Sequence, residues 1–243
     1  LGVILIMSGI STLIMLLIGV FTLGTNLFID FPWQNFVEAG NFTDYPIWSF
    51  GLLMFFAVGI PFFFLTLLGF KLLAPNMKSI GNIAKYTLLA IWIIAVAIAI
   101  SIGIKQASEI SHDNKSVEKM SLNINPKDTL FVKFRYNDYF AKGLDHDRDF
   151  EFVQDSANNQ LIYSTDVRLH VLHTDDTNPY LQIEKSARGN SLTSAKQRAE
   201  KISYKIQING NHLVLDNYFL TDVKNKFRGQ EVDVYLYLPE GQI

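Results

Sequence analysis

Two histidines, His170 and His173, are the residues best suited to metal chemistry, and they lie just before Asp175 and Asp176. Imidazole nitrogens and carboxylate oxygens are zinc ligands, so this group suggests a site. On a β-strand, however, side chains three positions apart point to opposite faces of the sheet. The spacing therefore favours two solvent-facing histidines, and we predict no metal site here.

A second acidic group, Asp145, Asp147 and Asp149, alternates along the segment GLDHDRDF. Alternating carboxylates occur in calcium loops, but an EF-hand loop also needs a central glycine and a closing glutamate. Neither stands at the required position in this segment. We therefore expect a solvated loop, with weak calcium binding as the alternative.

Catalysis would need a nucleophile beside a base, and the best candidates are Ser186 or Ser191 with His170 or His173. The chain contains no GxSxG, HExxH, P-loop or GxGxxG motif. Such motifs would support hydrolase, zinc or nucleotide chemistry. We therefore predict a protein that works by binding and signalling, without catalytic residues and without a cofactor, and an envelope enzyme is the competing class.

The most distinctive polar stretch is SARGNS, which contains Arg188 and Gly189. The favoured interpretation is that Arg188 packs or pairs beside a strand while Gly189 makes a turn. In the functional alternative Arg188 contacts an anion or a partner protein. With Lys196 and Arg198 of the following segment, it then forms a candidate partner contact.

Charge is concentrated in the second part of the chain. The whole chain has 21 basic and 23 acidic residues and a net charge of −2, whereas residues 1–104 hold three of each: Lys71, Lys78, Lys85, Asp30, Glu38 and Asp44. This balance does not suggest a nucleic-acid partner. Cysteine is absent, so neither a disulfide framework nor a thiolate metal site is expected.

Three apolar runs in the first part are long enough to cross a membrane, at about residues 1–23, 48–73 and 86–104. None has an ionisable residue at mid-depth, which argues against a transporter. The chain begins inside the first run without an initiating methionine, so we expect the true N-terminus to be missing. Pro61 lies inside the second run, where we expect a tolerated kink.

Small residues in these runs would let helices approach closely. In the first run they include Gly2, Gly9 and Gly19. In the third run the candidate packing positions are Ala95, Ala99 and Gly103, although small residues are also common in helices that simply face lipid.

The loops predict the orientation. The loop at 74–85 carries Lys78 and Lys85 without an acid, whereas the loop at 24–47 carries three acids without a base. Basic residues mark the cytoplasmic side of short loops, so the chain after residue 104 should lie outside the cytoplasm. Aromatic residues of the acidic loop fit a membrane-interface belt: Phe28, Phe31, Trp33, Phe36, Tyr45 and Trp48.

A polar connector at 105–115 is predicted to lead into a mostly β domain at 116–243. Short alternating runs indicate strands, and the clearest is Val232 to Leu238. Asn-Gly-Asn at 209–211 indicates a hairpin. The segment 192–202 predicts a helix capped by Ser191, with Lys196, Arg198 and Lys201 exposed. A solenoid and a sandwich of short strands both fit, and we expect further strands beyond residue 243.

The chain resembles the PspC-domain-containing (phage shock protein C-like) membrane proteins of Bacteroidota such as flavobacteria. The resemblance covers nearly the whole chain and is carried by FIDFPWQNFVEAGNFTDYPIW, LLMFFAVGIPFFF, NMKSIGNIAKYTLLAIW, IEKSARGNSLTSAKQRAEKI and YFLTDVKNKFRGQEVDVYLYLPEG. It implies a toast-rack, repeat-like outer domain, and a short PspC domain on the cytoplasmic side before residue 1.

The resemblance implies an envelope stress-response sensor in the bacterial inner membrane, with its C-terminal domain in the periplasm. The expected partners are the lipid bilayer, envelope or membrane proteins, a cytoplasmic stress effector reached through the N-terminal part, and a second copy of the chain. The alternative is a structural anchor or adhesin-like binding domain that does not signal.

Overall fold

The structure is a computed structural model that describes residues 1–24, 40–43, 45–77, 80–124, 129–137 and 150–239. Two predictions concern residues outside these ranges: the calcium alternative at 145–149, and the interface positions of Phe28, Phe31, Trp33 and Phe36. The chain divides into two compact units, residues 1–107 and 108–243, and each is described separately.

The first unit contains three long apolar helices, as the hydropathy predicts: α1 (Gly2–Gly24), α2 (Ile47–Leu73) and α3 (Asn82–Ser108). All three are long and apolar enough to cross a membrane. Most of their side chains are not buried within the unit, as expected of helices whose surroundings are lipid. The third helix is longer than the predicted span at 86–104, because its ends continue through polar residues.

Glycine allows α1 and α2 to pack closely. A Cβ atom at Gly9 would lie 1.9 Å from Thr66 Oγ1, and one at Gly69 would lie 2.8 Å from the Gly2 carbonyl oxygen. Gly2 and Gly9 thus act as the sequence predicted. Gly19 does not, since a Cβ there would meet nothing within 4 Å.

The third helix is hydrogen-bonded to a carbonyl that proline leaves free. Pro61 lies inside α2 and has no N–H, so it cannot donate to the carbonyl of Ala57 four residues earlier. The indole Nε1 of Trp92 on α3 donates to that oxygen at 2.9 Å. In lipid an unsatisfied backbone carbonyl is costly, and a neighbouring helix is a usual source of the missing donor. Pro61 thereby gives α3 a specific docking point on α2.

The second unit is a mostly β domain with one α-helix among its described residues, as predicted. Its strands are β1 (His112–Ser121), β2 (Phe131–Arg135), β3 (Glu151–Gln154), β4 (Gln160–Ser164), β5 (Val167–Thr174), β6 (Tyr180–Gly189), β7 (Ile206–Asn209), β8 (His212–Asp216), β9 (Phe219–Asp222) and β10 (Glu231–Pro239). The helix is α4 (Leu192–Glu200), and a short 3-10 helix covers Val223–Asn225.

The described strands form three sheets, ordered β1-β6-β10-β5, β2-β8-β7 and β3-β4-β9. Strand β10 pairs antiparallel with β6 and parallel with β5. The predicted hairpin is confirmed: β7 and β8 pair antiparallel, and Gly210 turns the chain with a φ of 60°, which glycine tolerates.

The alternation of β10 separates a core face from an outer face. Val232, Val234 and Leu236 are buried in the core, beside Leu181 and Ile183 of β6. The residues between them on β10 lie on the outer face. The two-residue period read from the sequence therefore predicted the buried side of this strand correctly.

The segment between the third span and the domain is shorter than the sequence suggested. Helix α3 runs to Ser108 and β1 starts at His112, so helix and strand occupy most of the range 105–115 that we predicted as a connector. Polar composition misled the prediction here. Glu109 is a buried residue whose charge is paired with Arg198. The polar residues from His112 onward belong to a strand whose side chains are largely exposed.

We predict that Gly9→Leu separates α1 from α2, because the new side chain would overlap Thr66. Overpacking of this kind costs about 1–3 kcal/mol, so thermal unfolding of the detergent-solubilised chain should shift downward. Gly19→Leu is the matched control, since its surroundings are open. Equal stability of the two variants would contradict this packing.

We also predict that Trp92 and Pro61 are energetically coupled. Trp92→Phe removes the donor to Ala57 and should cost about 1 kcal/mol. Pro61→Ala supplies a backbone N–H to the same carbonyl, so Trp92→Phe should cost much less in that background. A double-mutant cycle on the unfolding free energy measures the coupling, and additive costs would disprove it.

Candidate functional site

A buried carboxylate, Glu109, lies where the chain enters the β domain. It is 7% exposed. Its Oε2 accepts from Arg198 at 2.8 Å and lies 3.3 Å from a guanidinium nitrogen of Arg228, while Oε1 accepts from Asn190 at 3.0 Å. A buried charge is tolerated only when it is paired and hydrogen-bonded. We call these four residues the Glu109 cluster.

Local structure holds Arg198 in this cluster. Ser191 caps α4 by accepting from the Ser194 backbone N–H at 3.2 Å, as the sequence predicted. Ala195 and Ala199 bury the same helix against the domain, and a Cβ at Gly189 would lie 2.6 Å from the Ala195 nitrogen. Gly189 therefore allows close approach of the helix to β6. The predicted turn at Gly189 is wrong, because this residue ends a strand.

Arg188 joins the cluster through its backbone. Its carbonyl oxygen accepts from Arg198 Nη1 at 3.2 Å, and its N–H donates to the Arg228 carbonyl at 3.1 Å. Gly229, with a φ of 60°, would place a Cβ 3.4 Å from the Arg188 side chain. The Arg188 side chain itself is exposed.

The three candidate partner contacts therefore have different surroundings. Arg188 and Lys196 are exposed, whereas Arg198 is engaged inside the domain with 15% of its side chain exposed. The expectation that Arg198 is exposed is wrong, because Glu109 pairs with it. Lys201 is exposed as expected.

Sequence reasoning missed Glu109 and Arg228. Their separation along the chain hides the pairing, and Glu109 looked like one more polar residue of a connector. One signal was available, because the Arg-Gly dipeptide at 188–189 recurs at 228–229. Both glycines lie beside an arginine side chain of this region.

The outer face of the four-stranded sheet carries stacked rings. Tyr180 stacks on Tyr237 with centroids 4.5 Å apart, and His170 stacks on Tyr235 at 4.7 Å. Lys119 lies over the Tyr180 ring at 5.0 Å. Cross-strand pairs of this kind hold aromatic side chains in place, so this face offers a polar and aromatic surface of defined shape.

Ion pairs complete the outer face. Lys115 pairs with Glu184 across β1 and β6, and this hydrogen bond raises the pKa of Lys115. Arg168 binds Asp166 and Glu231, whose negative charges, that of Asp166 foremost, raise the pKa of Arg168. Arg168, Asp166 and Glu231 are at least partly exposed, so their pairs contribute little to stability, whereas Glu184 is buried and needs its pairing with Lys115.

The candidate catalytic residues are not brought together. Ser186 lies opposite Glu231 on β10, and His170 lies opposite Tyr235, four residues further along, which is about 13 Å. His170 pairs with Asp233 at 2.9 Å, and His173 points to the other face of the strand, as predicted from the spacing. The Ser191 hydroxyl accepts the capping hydrogen bond.

No group of metal-ligating side chains occurs within the described residues. His173 has Asp175 at 3.5 Å, but His170 does not join them. The acidic loop at 145–149 is not among the described residues, so the calcium alternative stays a prediction.

In the membrane unit the three candidate packing residues differ in how deeply they are buried. Ala95 is 5% exposed and lines a groove between α2 and α3, Ala99 is half-buried, and Gly103 is exposed with nothing within 4 Å of a Cβ. The groove has a volume of about 520 Å³ and an apolar lining: Tyr45, Trp48, Ser49, Leu52, Leu53, Phe56, Ile91, Ile94, Ala95, Ile98, Ser101 and Ile102. Ala95 is thus buried within this chain, and helix packing at Ala95, Ala99 and Gly103 stays a prediction.

Comparison with known proteins identifies both units. A family model described as the PspC transmembrane region matches residues 1–110, and one described as the toast rack found in some PspC proteins matches residues 153–243. No curated protein and no solved structure matches the chain. The two family matches coincide with the three apolar helices and with most of the β domain. The chain therefore belongs to the PspC-like family, as a multi-pass membrane protein with a C-terminal toast-rack domain.

Proposed function

We propose that this protein is an envelope stress-response sensor that acts through protein–protein binding. Membership of the PspC family supports this proposal. The observation that carries the proposal is the Glu109 cluster. It fastens the residue directly after the third span to an arginine pair of the β domain.

The cluster supports a route for the signal. Helix α3 ends at Ser108, and the next residue is Glu109, so few rotatable bonds separate the span from the cluster. A partner that changes the positions of Arg198 or Arg228 would therefore act on the end of α3. A partner shifts such an equilibrium only by binding one arrangement more tightly than the other.

Arg188 and Lys196 are the proposed contact residues for this partner. Both are exposed, and the backbone of Arg188 bonds to Arg198 and Arg228. A contact at Arg188 would therefore bear directly on the cluster. Two exposed cations suit an acidic segment of an envelope or membrane protein. Arg198 serves as a positioning residue in this proposal.

The proposed location is the bacterial inner membrane, with the β domain in the periplasm. The lysines of the loop at 74–85 support this orientation, because basic short loops remain in the cytoplasm. A cytoplasmic effector would then receive the signal at the other side of the membrane, through residues preceding the first span.

We predict that Arg188→Glu with Lys196→Glu abolishes stress-gene induction while the domain stays folded, because both side chains are exposed. Induction is measured by a reporter in cells that carry the variant in place of the wild type, with protein abundance measured in parallel. Lys224→Glu, at another exposed site, is the matched control. Normal induction by the double variant would exclude this contact. Damage to envelope integrity without any earlier change in induction would favour a structural anchor.

The orientation predicts opposite labelling at two single cysteines. The chain has no native cysteine, so Asn76→Cys in the basic loop and Asn158→Cys in the β domain give clean reports. A membrane-impermeant thiol reagent applied to cells with a permeabilised outer membrane should label position 158 and spare position 76. Both sites should react after full lysis. The reverse pattern in intact inner membranes would place the β domain in the cytoplasm.

A further inference from the structure

Strand β5 forms one edge of the four-stranded sheet and carries exposed apolar side chains. It pairs with β10 on one side, and among the described residues no strand covers its other side. Val171 is 50% exposed and Leu172 is 40% exposed. An uncovered edge strand with apolar residues is a template for pairing with another strand.

The backbone groups that β5 turns outward can be identified. The Val232 N–H donates to the Asp166 carbonyl at 3.0 Å, so the even-numbered residues of β5 direct their backbone groups toward β10. Backbone direction alternates along a strand. Leu169, Val171 and His173 therefore direct theirs away from the sheet. The Val167 N–H is already bonded to the Thr165 carbonyl.

The opposite edge of the same sheet differs in chemistry. Strand β1 carries Lys115, Glu118 and Lys119, and charged side chains, lysine above all, discourage pairing at an edge. Strand β5, VRLHVLHT, contains no lysine, proline or acid. Among the described strands, the sheet is thus protected on one edge and open on the other.

We propose that a second copy of this chain pairs antiparallel with β5 along this edge. In a two-fold pairing that keeps each face of the sheet continuous, residues of the same parity must lie opposite each other. Centring the pair on Val171 sets Val171 against its own counterpart and Leu169 against His173 of the second copy. In this register the backbone groups of all three outward-directed residues bond to the second copy. The Val167 N–H, which is already bonded, takes no part.

The same register is compatible in its side chains. His170 lies against Leu172 of the second copy on the outer face, and Arg168 lies against Thr174. No like charges are opposed, whereas such an opposition would be unfavourable. Val171 meets Val171 on the other face, and β-branched pairs stabilise antiparallel strands.

A second copy is also a partner that is present in the same membrane. All copies share one membrane, in which they diffuse laterally and meet one another. Confinement to a surface also raises their effective concentration. Pairing along β5 is independent of the proposed signalling function, and it is measured as dimerisation of the purified chain.

Single cysteines locate the two-fold axis. In the full-length chain, reconstituted in lipid vesicles, Val171→Cys should give a disulfide-linked dimer under mild oxidation, because directly opposed Cα atoms lie about 5.5 Å apart. Cysteine at Leu169 or at His173 alone should cross-link poorly, and the two together should cross-link well. Glu118→Cys on β1 is the control for random collision.

Val171→Pro tests the backbone bonds themselves. Proline at this position removes a backbone N–H that points away from the sheet, so no hydrogen bond within the domain is lost. Edge strands tolerate proline. Val171→Thr keeps the N–H and the branched shape. Val171→Pro should weaken dimerisation about tenfold or more, since the symmetric pair loses two hydrogen bonds, and Val171→Thr should dimerise like the wild type. Energy transfer between labelled copies, diluted with lipid, measures this.

Three results would overturn the proposal. One is cross-linking at Val171 no stronger than at Glu118, and another is equal dimerisation of the proline and threonine variants with unchanged thermal stability. The third is that cysteine at position 171 couples in cells to other proteins and not to a second copy, which would assign the edge to an extended segment of a different partner.

Discussion

The β domain is organised by the need to neutralise one buried carboxylate. Glu109 is almost fully covered, and a charge in that environment requires both ionic partners and hydrogen bonds. Arg198 and Arg228 supply the positive charges and Asn190 an amide. Satisfying Glu109 thus requires α4, the end of β6 and the turn before β10 to meet at the point where the chain leaves the third span.

A different physical constraint applies to the membrane unit, because lipid tails cannot form hydrogen bonds with the backbone. Helices there gain from close packing and from satisfying every backbone group. Gly9 and Gly69 provide the close packing between α1 and α2. Pro61 creates an unsatisfied carbonyl at Ala57, and Trp92 satisfies it from the third helix. Close packing therefore holds the first two helices together, and a directed hydrogen bond from Trp92 attaches the third helix.

Features that depend on local pattern were predictable, and those that depend on distant pairing were not. Hydropathy alone located the three spans, the Ser191 cap located α4, and the two-residue period located the core face of β10. Glu109 and Arg228 lie more than one hundred residues apart, so only the fold reveals their pairing. Gly189 was misread for a different reason, because a local pattern does not show how closely the following helix packs back onto β6.

The order of strands keeps the two proposed interactions apart. Helix α4 packs on β6 and β1, and the order β1-β6-β10-β5 puts the open edge at the other end of the sheet. Arg188 is on β6, two strand spacings or about 10 Å from β5, and seven residues or about 23 Å along β6 from Leu181, which is aligned with Val171 through Leu236. A partner bound at Arg188 would therefore leave β5 accessible, and a dimer formed along β5 would leave Arg188 exposed. Because β10 bonds to both β6 and β5, the two surfaces are nonetheless carried by one continuous hydrogen-bonded sheet.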